Sequence, residues 1–217
     1  MLKKLTQAQW TLILETGIRE FADQGMDRAN INVIAKKAGI SVGVLYKYFK
    51  DKEAFFLACL NQSLSVLENV LRDSLEGDHK LLERAEKIIR AVQKTSREHV
   101  DYINMYLSIT TGSNRKYAHE LAKRIEGMTA EVYAQFIRDA QKAGDIRQDA
   151  DPKMFAFFFD SLLMMLQFSY GCDYYQERFK VYVGDDILSK DEFVVSEMLK
   201  FFESAFTLEQ ASIHHRS

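Results

Sequence analysis

Between Ser41 and Lys52 the chain runs S-V-G-V-L-Y-K-Y-F-K-D-K, a segment of hydroxyls, lysines and aromatic rings in which Asp51 is the one acid. If Leu45 and Phe49 turn inward at helical spacing, Val42, Gly43, Val44, Tyr46, Lys47 and Tyr48 share the outward surface, with Lys50 and Lys52 just beyond. Lysines and tyrosine hydroxyls can hold phosphates, Gly43 lets backbone approach backbone, and the tips of Val42 and Val44 can rest on thymine methyls in a major groove. The chemistry in view is recognition of a duplex polyanion. The same residues also allow a plainer interpretation, in which the tyrosines pack and the lysines are a solvated face.

Two short helices would position that surface. Asn30 can cap the first, whose Ile31, Ile34, Ala35 and Ala38 follow a three-and-four spacing. Gly39 suits the left-handed geometry that ends a helix, and Ser41 is a fresh N-cap for the second, which makes the pair a helix-turn-helix. A preceding helix is predicted from Thr6 to Gln24, with Trp10, Ile13, Leu14, Ile18, Phe21 and Ala22 as its stripe and Gly25 as its stop. A long fourth helix, from Lys52 to Glu76, carries Phe55, Phe56, Cys59, Leu60, Leu64 and Leu67 inward over about 35 Å. Its N-terminus, with Lys52, also favours a phosphate. Residues 1–52 hold nine Lys/Arg against five Asp/Glu, whereas the remainder holds 20 against 26, so a basic segment precedes an acidic one.

The run from Ile13 to Leu60 resembles the N-terminal domain of TetR-type transcriptional regulators. The resemblance rests on F-A-D-Q-G (Phe21 to Gly25), I-A-K-K-A-G-I-S-V-G (Ile34 to Gly43) and L-Y-K-Y-F-K-D-K-E (Leu45 to Glu53). A second point of similarity is G-x-I-R-x-D-x-D-P, from Gly144 to Pro152, which is similar to the connection ahead of the eighth helix in many such regulators. The resemblance implies an all-α chain: a three-helix DNA-binding domain over residues 1–51 and a larger helical ligand-binding and dimerisation domain over 52–217. It further implies a homodimer on a palindromic operator, acting as a repressor that a hydrophobic small-molecule effector releases. Carried over position by position, the DNA contacts fall on Asn30, Asn32, Ser41, Val42, Gly43, Val44, Tyr46, Lys47, Tyr48 and Lys52. Asn30 stands where threonine is common, and Val42 and Val44 are less polar than usual, so the operator sequence does not follow from the resemblance.

Residues 53–217 are rich in aromatics and methionine, as an apolar ligand cavity requires. Helix position and face select Tyr102, Met105, Tyr106, Tyr133, Phe136, Phe158, Phe159 and Met165 as candidate ligand contacts, with packed core as the alternative for each. Helices are predicted over His79–Arg97, His99–Thr111 and Arg115–Ala143, separated by breaks at Gly77–Asp78 and Gly112–Asn114. In the helix from Pro152 to Gly171, Asp160 is the only acid, and it could meet a cationic ligand or an Arg. That helix is apolar on two sides. One side must therefore meet something outside the monomer, and Phe157, Met164 and Phe168, with Phe201 and Phe202 of a last helix over Asp191–Leu208, are the expected dimer face. The stretch from Asp173 to Lys190 is left unassigned.

At 217 residues and 47% apolar, the chain can build one large or two modest cores. Cys59 and Cys172 are far apart and read as buried thiols rather than a disulfide or metal framework. The segment M-L-K-K-L-T-Q lacks the apolar core of a secretory signal, and Asp160, Ser161 and Gln167 interrupt the apolar run from Met154 to Tyr170; the expectation is a cytoplasmic protein with no membrane span. His214 and His215 are poorly spaced for metal on one helix face. No HExxH, P-loop, CxxC, dinucleotide turn or nucleophile elbow occurs, so neither a cofactor nor catalysis is expected. A constitutive or partner-recruiting DNA-binding regulator, with no small-molecule switch, is the alternative function.

Overall fold

The computed structural model describes residues 5–75, 80–111 and 115–207; the breaks expected at Gly77–Asp78 and Gly112–Asn114, and the tail with His214 and His215, lie outside them. Among the described residues every element is helical: α1 (Gln7–Arg28), α2 (Ile31–Lys37), α3 (Val42–Tyr48), α4 (Lys52–Leu75), α5 (Leu81–Glu98), α6 (Val100–Thr111), α7 (Arg115–Ala143), α8 (Pro152–Gly171), α9 (Asp173–Val183), a 3-10 turn (Ile187–Ser189) and α10 (Asp191–Thr207).

Local sequence explains the helix ends. Thr6 and Gln9 form a reciprocal capping box at the start of α1, the threonine hydroxyl accepting from the Gln9 amide at 3.2 Å. Gly25 takes φ +70°, yet the chain recovers one further helical turn and closes it with an Ala29 N–H to Gly25 carbonyl bond. The expected stop at Gly25 is thus a kink, and α1 runs on to Arg28. Ahead of α8, Asp151 accepts from the amides of Lys153 and Met154 and Pro152 opens the helix, so the linker works as a cap.

Two clusters of buried side chains hold the helices together. The first joins Ile13, Ile18 and Phe21 of α1, Ile34 of α2 and Leu45 of α3 to Phe55, Phe56 and Leu60 of α4, then continues into Ile103 and Met105 of α6. The boundary at residue 51 is therefore crossed by one continuous core, which supplies what a three-helix unit of this size lacks. Close approach of α1 and α4 depends on Gly17: a β-carbon there would lie 2.5 Å from Phe55 Cζ and 2.6 Å from Cys59 Sγ. The second cluster packs Ile88 and Ile89 of α5, Tyr133 and Ile137 of α7, Phe159 and Leu163 of α8, and Phe202 and Phe206 of α10. Arg97 and Arg90 of α5 tie down the start of α10 through Asp191 and Glu192.

The stretch from Asp173 to Lys190 resolves into α9 and the 3-10 turn. No α9 residue is fully buried; only Tyr175 and Phe179, four residues apart, pack partly against the cores, a stripe too short for periodicity to single out. Two expectations for the dimer face are corrected. Phe168 is 2% exposed, set against Tyr106 and Tyr175, and Phe202 is 3% exposed, against Phe159 and Phe206; both are spent inside the monomer core because their helices turn those positions toward α6 and α8. By length and composition α8 could cross a membrane, but it packs along α5, α6, α7 and α9.

Candidate functional site

The first site is built by the turn between α2 and α3. Asn30 caps α2, its side chain accepting from the Asn32 amide at 2.9 Å. The helix ends at Gly39, φ +69°, where Gly39 N–H bonds Lys36 O and Ile40 N–H bonds Ala35 O, the paired closure that only a residue tolerant of left-handed backbone permits. Ser41 then caps α3, accepting from the Val44 amide at 3.2 Å. Glu20 of α1, nearly buried, accepts from the Asn30 amide at 3.1 Å and sits 3.7 Å from Lys37 Nζ, fixing the entry of α2 against α1. Sequence reasoning missed this acid; a carboxylate on the apolar side of the first helix was the available signal.

With Leu45 and Phe49 buried, α3 presents Ser41, Gly43, Tyr46, Lys47 and Tyr48 to solvent and half-buries Val42 and Val44. Tyr46 is 41% exposed and Tyr48 37%, large values for aromatic rings. Tyr48 is also positioned: its ring meets Trp10 edge-on at 5.8 Å and its hydroxyl accepts from the Leu5 amide at 3.4 Å. Trp10 in turn stacks on Phe49 at 5.2 Å. A β-carbon on Gly43 would find only Ser41 Oγ, at 3.9 Å, so nothing inside the fold requires glycine there. Asn30 and Asn32 are exposed beside α3. Lys52, half-buried, donates to the Asp27 carbonyl at 2.8 Å, and the first turn of α4 is capped by Asp51, which accepts from the Ala54 amide at 2.7 Å.

The second site is a partly open cavity of about 140 Å³ lined by residues of α4, α5, α6, α7 and α8. Of the candidate ligand contacts, Tyr106 and Tyr133 line it. Phe136 and Phe159 border a much smaller void near α10, and Phe158 is 51% exposed on the outer side of α8. Met105 belongs to the first core cluster, Met165 packs against it half-buried, and Tyr102 donates its hydroxyl to Glu15 of α1. Asp160, singled out in the sequence, lines the cavity, together with Glu126, Glu68, Ser96 and Gln167, which were not. Tyr106 donates to Glu126 Oε1 at 2.7 Å. Burial first, and then the charge of Glu126, raises Asp160 from its ordinary 3.8 to about 6, against an opposing hydrogen bond from Thr129. Burial and the neighbouring carboxylates push the phenols of Tyr106 and Tyr133 far up. Both thiols are free and buried; Cys59 is raised well above its ordinary value and Cys172 to about 11, chiefly by burial.

A third surface is apolar. Met154, Phe157, Phe158 and Leu162 of α8 and Phe193 and Phe201 of α10 are exposed, Phe157 at 64% and Phe201 at 59%, while Met164 is half-buried at the cavity wall.

The profile of the family described as bacterial regulatory proteins, tetR family, matches residues 13–59, the segment from mid-α1 to mid-α4 that contains the whole helix-turn-helix. The HTH-type transcriptional regulator YuxN of Bacillus subtilis (strain 168) is 30% identical over 115 residues, 52% of this chain and 39% of that protein. The alignments span between 34% and 39% of the length of the first curated relatives, so these matches concern part of each protein. Solved structures follow most of the chain. The ketosteroid transcriptional regulator KstR2 of Mycobacterium tuberculosis superposes with a TM-score of 0.67 at 18% identity, covering 95% of this chain and 98% of its own. AibR, solved with isovaleryl coenzyme A and operator DNA, gives 0.63 at 18% identity over 89% and 97%. The family match thus falls on the helices that present the exposed surface of α3, and the helices behind them follow the fold of those solved structures: over residues 13–59 the chain matches the tetR family of bacterial regulatory proteins.

Proposed function

We propose that this protein is a DNA-binding transcriptional regulator that sits on a palindromic operator as a homodimer, represses, and is released when a hydrophobic small molecule enters the cavity. The observation that carries the reading is the surface of α3: two exposed tyrosines and a lysine arranged around Gly43, a glycine the fold does not need. Inside a helix, glycine costs stability, and an external partner that approaches the backbone closely accounts for keeping it.

The dimer reading rests on the apolar strip of α8 and α10. Exposed aromatics of this kind are costly in water, and a second copy covering them about a twofold axis sets two α3 helices side by side. An operator with half-sites one helical turn apart, about 34 Å, matches such a pair. The domain division near residue 51 enters here as a functional one, with α1–α3 as the reading head and the helices behind it as sensor and dimer scaffold.

The cavity supports the effector reading. Leu64 and Leu67 of α4 line it, and the same helix carries Phe55 and Phe56 in the core of the reading head. Ile103 of α6 lines it too, while Tyr102 on that helix bonds Glu15 of α1. A ligand that displaces α4 or α6 therefore acts on α1 by two routes, and it weakens DNA binding only to the extent that it prefers the displaced geometry. That AibR was solved with both an acyl thioester and operator DNA supports a small-molecule switch in this fold.

The test is a titration of the purified protein against duplex DNA from the region adjoining its own gene, followed by fluorescence anisotropy at several salt concentrations. Saturable binding whose logarithm falls linearly with log salt is the expected result. Salt-independent or undetectable binding, or a monomer by light scattering, refutes it.

A further inference from the structure

The cavity between α4 and α8 has apolar walls, yet its ionisable lining is acidic. Glu68, Glu126 and Asp160 border it, and among the described residues no Lys, Arg or His does. Removing carboxylates from water is expensive unless a positive charge or several hydrogen bonds compensate. Glu126 receives one such bond, from Tyr106. Asp160 meets the Glu126 charge rather than a cation, and its raised titration is the electrostatic consequence.

An independent observation comes from α5. The hydroxyl oxygen of Ser96, on a residue 1% exposed, borders the cavity and has no hydrogen-bond partner. Buried hydroxyls almost always find a partner, so an orphan on a cavity wall marks where a ligand atom is expected. Two aromatic rings, Tyr106 and Tyr133, complete the polar end, and a ring face attracts a cation that has shed its water. A groove between α7 and α8 shares Glu126, Thr129, Asp160 and Met164 with the cavity and gives a way in; exposed Lys153 and Glu131 stand at its outer part.

We propose that this cavity binds a small lipophilic organic cation, an amine or quaternary ammonium on an aromatic or aliphatic body, with its charge beside Asp160 and Glu126 and its apolar part against Leu64, Leu67 and Leu163. The assignment rests on the effector reading above and narrows it to one class. An anion of similar size gains the same apolar contacts but, among the described residues, faces carboxylates without a counter-charge. A neutral molecule gains the contacts and leaves the carboxylates with their hydrogen bonds but no cation.

Calorimetric titration of the full-length protein with phenyltrimethylammonium, with its neutral isostere tert-butylbenzene and with the anion phenylacetate separates these cases. The cation is expected to bind tighter than either by roughly tenfold or more, the size of one charge-assisted contact. Asp160→Asn and Glu126→Gln, each checked for native circular dichroism, should erase most of that advantage and leave the neutral isostere within about threefold of its wild-type affinity. Equal affinity for cation and isostere, no binding of the cation, or cation binding unmoved by both substitutions overturns the proposal. Operator release measured in parallel keeps the two readings apart. Cation binding that leaves DNA affinity unchanged refutes the switch and not the ligand class. Release by the neutral or anionic probe, with no response to the cation, refutes the class and not the switch.

Discussion

Gly43→Ala opposes the two interpretations of α3 directly. In the free protein the new methyl has room, since Ser41 Oγ at 3.9 Å is the only atom nearby, and Gly43 is not among the glycines with positive φ. The substitution therefore restricts the unfolded chain and raises helix propensity without strain, a gain of about 0.4 to 1 kcal/mol, toward the lower end because Gly43 lies in the first turn of α3. If the backbone at Gly43 lies against a duplex, the same methyl overpacks that contact and costs roughly 1 to 3 kcal/mol of binding. Urea unfolding followed by Trp10 fluorescence measures the first effect and operator anisotropy at fixed salt the second; Trp10 is the single tryptophan and stacks on Phe49 at the end of α3. A variant more stable than wild type and about tenfold or more weaker on DNA supports the argument. A variant that is stabilised and binds DNA as before shows that α3 does not lie close against the groove, and a destabilised variant shows that the local geometry described here is wrong.

Lys47→Ala should weaken binding across all DNA sequences and reduce the log–log salt slope by about 0.9, the contribution of one phosphate; an unchanged slope removes Lys47 from the interface. Gly17→Ala forces a β-carbon to 2.5 Å from Phe55 and should cost roughly 1 to 3 kcal/mol in urea unfolding, with a neutral result meaning that α1 and α4 can separate. Phe157→Glu together with Phe201→Glu should turn a dimer into a folded monomer by analytical ultracentrifugation, with loss of operator binding; an intact dimer places the interface elsewhere. Asp160→Asn should alter the pH dependence of stability. Folding raises the Asp160 carboxyl from 3.8 to about 6, so the native state holds its proton longer than the unfolded chain, and wild-type stability falls as pH rises through that window. Glu126, Glu68, Tyr106 and Tyr133 share that cavity. Asparagine removes the Asp160 contribution, so the variant should match wild type near pH 4 and exceed it above pH 6 by about 1 to 3 kcal/mol, the upper figure being the full shift at about 1.4 kcal/mol per pH unit. Parallel pH profiles for the two proteins would refute it.

What the sequence by itself determined is what depends on near neighbours along the chain. Asn30, Gly39 and Ser41 set the caps and the turn, because capping and left-handed backbone are decided within three or four residues. With Leu45 and Phe49 inward, helical period alone turns Tyr46, Lys47 and Tyr48 outward, whereas Val42 and Val44, expected beside them, are half-buried. Asp151 and Pro152 likewise announced α8. Only the tertiary structure decided which of several apolar faces meets which neighbour. Periodicity says that a face is apolar, not what covers it, so Phe168 and Phe202, expected outward, lie in the core, whereas Phe157 and Phe201 are exposed. The polar wall of the cavity was hidden for the same reason. Ser96, Glu126 and Asp160 come from three helices separated by loops, and their convergence is a property of helix packing that no local pattern encodes. Gly17 makes the point in its smallest form: in the sequence it is a glycine inside a helix, and only the 2.5 Å between its missing β-carbon and Phe55 says why it is there.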